Sequence, residues 1–155
     1  MSTVTIRKAG SADAAAFLTL IRELAAYEGF EAYVRTTEQS LLRDSEHFGV
    51  FLVEAEGRAA GYLSYTIGYS IWGAGHYMHV DDVYVGAALR GTGVGKLLMK
   101  AAAEECLARG YVFARWGVES SNAAARGFYR NIGAEYKEKG LCTWSREAMA
   151  AFAEG

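Results

Sequence analysis

The 155-residue chain has no proline, only two cysteines and no run of about 18 consecutive apolar residues. Without proline, its turns must rest on Gly, Asn, Asp and Ser. Cys106 and Cys142 are isolated, which excludes a disulfide framework and a CxxC metal site and leaves reduced thiols of a cytoplasmic protein as the expectation. Residues 1–8, MSTVTIRK, carry no signal-like apolar stretch, so neither secretion nor membrane insertion is indicated. A basic excess is also missing. With 16 Lys and Arg against 18 Asp and Glu, the net charge is −2, and nucleic acid is not an expected partner. That imbalance is too even to point to a cationic ligand by itself.

What is present suits a folded unit. Hydrophobic residues make up 52% and charged residues 22%, and no linker, repeat or low-complexity tract interrupts residues 1–155, so one domain is expected. Alternation over residues 3–7 reads as a strand, and Ser11 is a candidate cap for a helix carrying Phe17, Leu18, Leu20, Ile21, Leu24 and Ala25. Thr36 with Gln39 reads as a capping box for a short helix through Leu41 and Leu42. Strands are expected over 48–54, 60–71 and 76–85, with a turn at Glu56-Gly57-Arg58. A helix follows with Val94, Leu97, Leu98, Ala101, Ala102 and Cys106 on one face, ended by Arg109-Gly110. A strand over 111–118, a helix capped by Ser121 or Asn122 and stopped by Gly133, one or two strands within 135–144 and a helical tail from Ser145 complete the reading. The order β-α-α-β-β-β-α-β-α-β implies one α/β (α+β) domain around a mixed sheet.

Residues 90–96, RGTGVGK, lie where a strand passes into an amphipathic helix, so backbone amides and the helix dipole could hold an anion there. A Walker A loop is excluded because Arg90 stands five residues before Gly95, where a glycine is needed, and Leu97 follows Lys96. GxGxxG fails because Lys96 stands where the third glycine belongs. The segment matches RxxGxG instead. With LIRELAAYE at 20–28, YMHVDDVYV at 77–85 and NAAARGFYRNIGA at 122–134, the chain resembles the GNAT acetyltransferases over nearly its whole length, and among them the diamine (spermidine/spermine) N-acetyltransferases.

That resemblance implies a GNAT-like, mostly antiparallel sheet flanked by helices and acetyl-CoA as co-substrate. Strand backbone at Val83 and Val85 would pair with the pantetheine arm, and Arg90, Gly91, Thr92, Gly93, Val94, Gly95 and Lys96 would hold the pyrophosphate. Asn122 would be a further coenzyme contact, although an N-cap is the alternative from its position. Gly86-Ala87-Ala88 departs from the superfamily in lacking a proline. Tyr129 would protonate the departing thiolate, core packing beside Phe128 being the alternative. Asp81 resembles the base that works through water and Asp82 a cation-binding partner, while Tyr27, Glu28 and Trp72 resemble acceptor-site positions. A homodimer is implied as well.

The residues themselves add limits. Strand alternation puts Asp81 with His79 and Val83, and Asp82 with Val80 and Tyr84, so only one acid faces any given pocket unless a bulge intervenes. His79 is a competing base. His76 and His79 are three apart on a strand, on opposite faces, and no metal is expected. The expected activity is acetyl transfer to a primary amine of a small polyamine-like cation by direct attack in a ternary complex. Thialysine, amino-acid or protein-lysine acetylation are alternatives, and a non-catalytic acyl-CoA sensor is the alternative of another class.

Overall fold

A computed structural model describes residues 3–155; Met1 and Ser2, part of the N-terminal stretch read above, lie outside them. The described residues fall into two compact units, up to Gly117 and from Val118 onward. The first unit runs β1 (Val4–Lys8), α1 (Ala14–Glu28), α2 (Glu38–Arg43), β2 (Phe48–Ala55), β3 (Arg58–Ser70), β4 (Gly75–Val85), α3 (Val94–Arg109) and β5 (Ala114–Arg115). Its five strands form one sheet in sequential order, antiparallel throughout except for the parallel β4–β5 pair. The second unit holds α4 (Ala123–Asn131) and α5 (Arg146–Glu154). This is the mixed, mostly antiparallel sheet with helices that the sequence implied.

Sequential order follows from tight connections. Glu56 and Gly57 take φ of 52° and 73°, a left-handed pair that reverses β2 into β3 within two residues. Alternation then sorts the side chains. Val50, Leu52, Tyr62 and Tyr84 face α1 and pack with Phe17 and Leu20. Leu63, Val80 and Met78 take the other face, where α3 presents Val94, Leu98, Met99, Ala102 and Cys106, with Cys106 Sγ 3.8 Å from Met78 Sδ. Leu98 and Leu63 are fully buried, each worth about 2 kcal/mol of hydrophobic stabilisation.

Several local expectations are corrected. The capping box is one residue later: Thr37 Oγ1 accepts from the Ser40 amide at 3.0 Å and Ser40 Oγ from the Thr37 amide at 3.0 Å, a serine replacing the longer Gln39 as the reciprocal partner of Thr36. Ser11 opens a short 3₁₀ turn, not α1, and the Asp13 carboxylate there accepts from the Gly10 amide and from Arg7. Leu97 is exposed while Met99 takes its place in the core. The strand expected over 111–118 shrinks to Ala114–Arg115, because its partner β4 loses regular register just beyond His79. No strand forms over 135–144, where Lys137, Glu138, Lys139 and Gly140 in succession have low strand preference.

Candidate active site

The irregularity in β4 organises the site. Tyr62, Leu63 and Ser64 of β3 pair with Tyr84, Val83 and Asp82, but Tyr65 pairs with Val80, so Asp81 is an extra residue in the ladder. This bulge overturns the alternation expected from sequence: Asp82 shares a face with Tyr84 and no longer with Val80, which turns to the α3 face. His79, paired with Thr66, shares the Asp82 face, and its Nε2 is 3.2 Å from Asp81 Oδ1. Both aspartates therefore serve one side of the sheet.

That side is acidic. Tyr62 Oη is 3.4 Å from Asp82 Oδ2, and its ring is held by Phe17 edge-on at 5.0 Å. Loss of hydration raises the Asp82 carboxyl above its ordinary value, the charges of Asp81 and Glu28 add to the rise, and the Tyr62 hydroxyl opposes it. Burial, then the negative charge of Asp82, likewise pushes the Tyr62 phenol far up. Glu28 is the last residue of α1, which Gly29 ends in the left-handed conformation. Nearby, Tyr84 Oη is 3.2 Å from Glu23 Oε2.

At the end of β4 the chain passes through a 3₁₀ turn into the glycine segment. Gly91 and Gly93 adopt φ of 76° and 90°, a region costly for residues with a Cβ, and a Cβ at either would meet nothing within 4 Å. The glycines are thus required by backbone conformation, and the space beside them is open. Among the described residues the amides of Gly91 and Gly93 reach no backbone acceptor, and those of Val94, Gly95 and Lys96 fall in the first turn of α3, where a helix supplies none. The Thr92 amide and hydroxyl both bond to the Leu89 carbonyl.

The remaining site residues divide. Val83 and Val85 lie on the stretch of β4 beyond His79, whose outer edge has no strand neighbour among the described residues. The Val85 carbonyl accepts from Arg90 Nε at 3.0 Å, and the Arg90 guanidinium sits 4.5 Å over the Tyr27 ring. Trp72 is not brought to the acids: it is fully exposed in the β3–β4 turn, at the end of β4 that lies seven residues, ~23 Å along an extended strand, before Asp82. His76 pairs with Tyr69, on the face opposite His79. No group of three or more metal-ligating side chains occurs among the described residues. In the second unit, Asn122 caps α4, its Oδ1 accepting from the Ala125 amide at 3.0 Å. Tyr129 packs edge-on against Phe128 with centroids 5.3 Å apart, and burial raises its phenol above the ordinary value.

Residues 15–134 match the family model described as Acetyltransferase (GNAT) family. The chain belongs to that family. It is an acetyl-CoA-dependent N-acetyltransferase. Relatives include the thialysine N-epsilon-acetyltransferase of Bos taurus, 33% identical over 147 residues covering 87% of this chain and 86% of that one. An aminoglycoside acetyltransferase from an uncultured soil metagenomic sample, solved with sisomicin, superposes with a TM-score of 0.79 at 18% identity over 92% of this chain and 95% of its own. An aminoglycoside N-acetyltransferase in complex with CoA gives a TM-score of 0.74 at 19% identity, over 94% and 97%. These two likenesses show the fold alone.

For an acetyltransferase of this kind the coenzyme carries a diphosphate, and the open glycine turn with its undirected amides fits such an anion. Sequence reasoning missed Tyr62 and Glu23. Tyr62 was readable in principle, since antiparallel pairing across a hairpin puts the residue two before Ser64 on the Asp82 face.

Proposed function

We propose that this acetyltransferase moves the acetyl group of acetyl-CoA to a primary amine of a small cationic acceptor of the diamine or polyamine kind, by direct attack in a ternary complex. One observation carries the reading: the bulge brings Asp81 and Asp82 to one side of the sheet, where burial raises the Asp82 carboxyl and the charges of Asp81 and Glu28 add to the rise. Gathered like charges hold unfavourable energy that a bound cation relieves, whereas a neutral acceptor leaves it in place.

In this mechanism the amides of Gly91, Gly93, Val94, Gly95 and Lys96 bind the diphosphate, and the free edge of β4 at Val83 and Val85 aligns the pantetheine arm. Asp82 and Glu28 hold the ammonium charge of the acceptor. Asp81, oriented by His79, takes the proton of the attacking nitrogen through a water, and that nitrogen then adds to the thioester carbonyl. Collapse of the tetrahedral adduct breaks the carbon–sulfur bond, and Tyr129 gives its phenolic proton to the leaving thiolate, a role supported by the position of its phenol in the segment that resembles the family's last core helix. Asn122 spends its side-chain oxygen on capping, which leaves only its amide nitrogen for the coenzyme. The proposal includes a homodimer in the cytoplasm.

Thialysine, an amino acid with a side-chain amine, is the second reading, favoured by the bovine relative's name. The deciding experiment measures release of free thiol from acetyl-CoA against a panel of diamines, monoamines, thialysine and lysine peptides. Preference for diamines supports the first reading and preference for thialysine the second. Absence of turnover with every amine would overturn the small-amine acceptor reading.

A further inference from the structure

The glycine turn presents two kinds of group, and they are committed differently. Its amides at Gly91 and Gly93 reach no backbone acceptor, while the side chain of Arg90, though exposed, is held to the protein through Nε and the face of its guanidinium. Nε donates to the Val85 carbonyl at 3.0 Å, at the last residue of β4. The guanidinium plane lies 4.5 Å over Tyr27 and 5.9 Å from the Tyr84 ring. Tyr84 in turn bonds Glu23 of α1. Arg90 thus joins the end of β4 to the last turn of α1.

What that turn carries is decisive. Tyr27 is 70% exposed, so little besides the guanidinium covers its ring, and the next residue is Glu28, whose charge reaches Asp82 and Tyr62. Moving Arg90 onto a phosphate would leave the Val85 carbonyl without that donor and would uncover the Tyr27 ring. The amides of Gly91, Gly93, Val94, Gly95 and Lys96 can hold an anion without this loss.

Building on the coenzyme reading of this turn, we infer that Arg90 is a positioning residue for the amine acceptor: it fixes Tyr27 and Glu28 against the end of β4, and the diphosphate is held by backbone amides. Arginine is suited to this because a planar fork can stack on a ring and donate sideways at once, which a lysine ammonium cannot do.

The test compares Arg90→Ala with Arg90→Lys, measuring coenzyme A affinity by calorimetry and the KM for 1,4-diaminobutane by steady-state kinetics. A positioning role predicts that both variants raise the amine KM about tenfold, with coenzyme affinity unchanged within about twofold. Tyr27→Leu, which removes the stacking ring and leaves Arg90 in place, should reproduce the rise in KM and serves if the Arg90 variants fold poorly. Coenzyme affinity lost in Arg90→Ala and restored in Arg90→Lys would overturn the inference, because a phosphate ligand needs the charge and not the fork. An amine KM unchanged in all three variants would overturn it as well. Gly93→Val separates this from failure of the underlying reading: if it leaves coenzyme affinity intact, the turn is not the coenzyme site.

Discussion

Tyr62, completely buried in β3, directs its hydroxyl to Asp82 of β4 at 3.4 Å, so the acidic patch rests on a core residue. The Asp82 carboxyl binds its proton more tightly in the folded protein than in the unfolded chain. Its contribution to stability is therefore complete below the unfolded value of about 4 and is lost as pH rises through the higher folded value. Asp82→Asn is expected to melt slightly above the parent at pH 7, a small gain because Asp82 is exposed, with the gap closing near pH 3, by scanning calorimetry at the two pH values. A lower melting temperature at pH 7 would remove the strain argument. The same variant should raise the KM for a diamine more than for a monoamine of equal length.

Asp13 has the opposite sign. Its hydrogen bonds from Arg7 and from the Gly10 amide hold the carboxyl down at about 2, so its contribution is present above about pH 4 and fades between pH 4 and 2. Asp13→Asn should lower the melting temperature by a few degrees at pH 7, a modest loss because the pair with Arg7 is open to solvent. Equal losses at pH 7 and pH 2.5 would show that the turn and not the charge matters.

Gly93→Val forces a β-branched residue to φ of 90°, at a cost of about 1–2 kcal/mol, although its Cβ meets no protein atom. The open space means that the added methyl groups project where the diphosphate would lie. Acetyl-CoA affinity should fall at least about tenfold while the protein remains folded, as read by calorimetry beside thermal unfolding. Unchanged affinity removes the glycine turn from coenzyme binding.

Tyr129→Phe keeps the ring against Phe128 and removes one proton. Turnover should drop ~10²-fold, the lower end for general acid catalysis because thiolate is a fair leaving group, with acetyl-CoA affinity little changed. Parent-like turnover would assign the tyrosine to packing.

Much of this was legible in the sequence, and the exceptions share a cause. Periodicity located α1, β3 and α3, because each buries a regular face, and a compact apolar run located β2. The helix cap slipped by one position because Thr36 and Thr37 are adjacent and chemically alike, and only the reciprocal bond from Ser40 distinguishes them. The glycine motif was readable from spacing, yet the stacking of Arg90 on Tyr27 was not, since it joins residues far apart in sequence. Trp72 was singled out by its resemblance to an acceptor-site position, but only the length of β4 shows that its turn lies at the far end of the strand from Asp82. The one or two strands expected within 135–144 do not form, and a local reading carries no information about whether a partner strand exists.

An inserted residue usually weakens a strand, but at Asp81 it separates two design problems. In an unbroken strand each side chain fixes the facing of every later one, so acidity at 81 and 82 could not be concentrated on one side without re-facing Val83. The bulge uncouples them: Val80 and Val83 both stay on the α3 side, while the residues between are free to change length or charge. Under the proposed acceptor role, substitutions at Asp81 and Asp82 would retune which amine is accepted while Val80 and Val83 keep their facing toward α3.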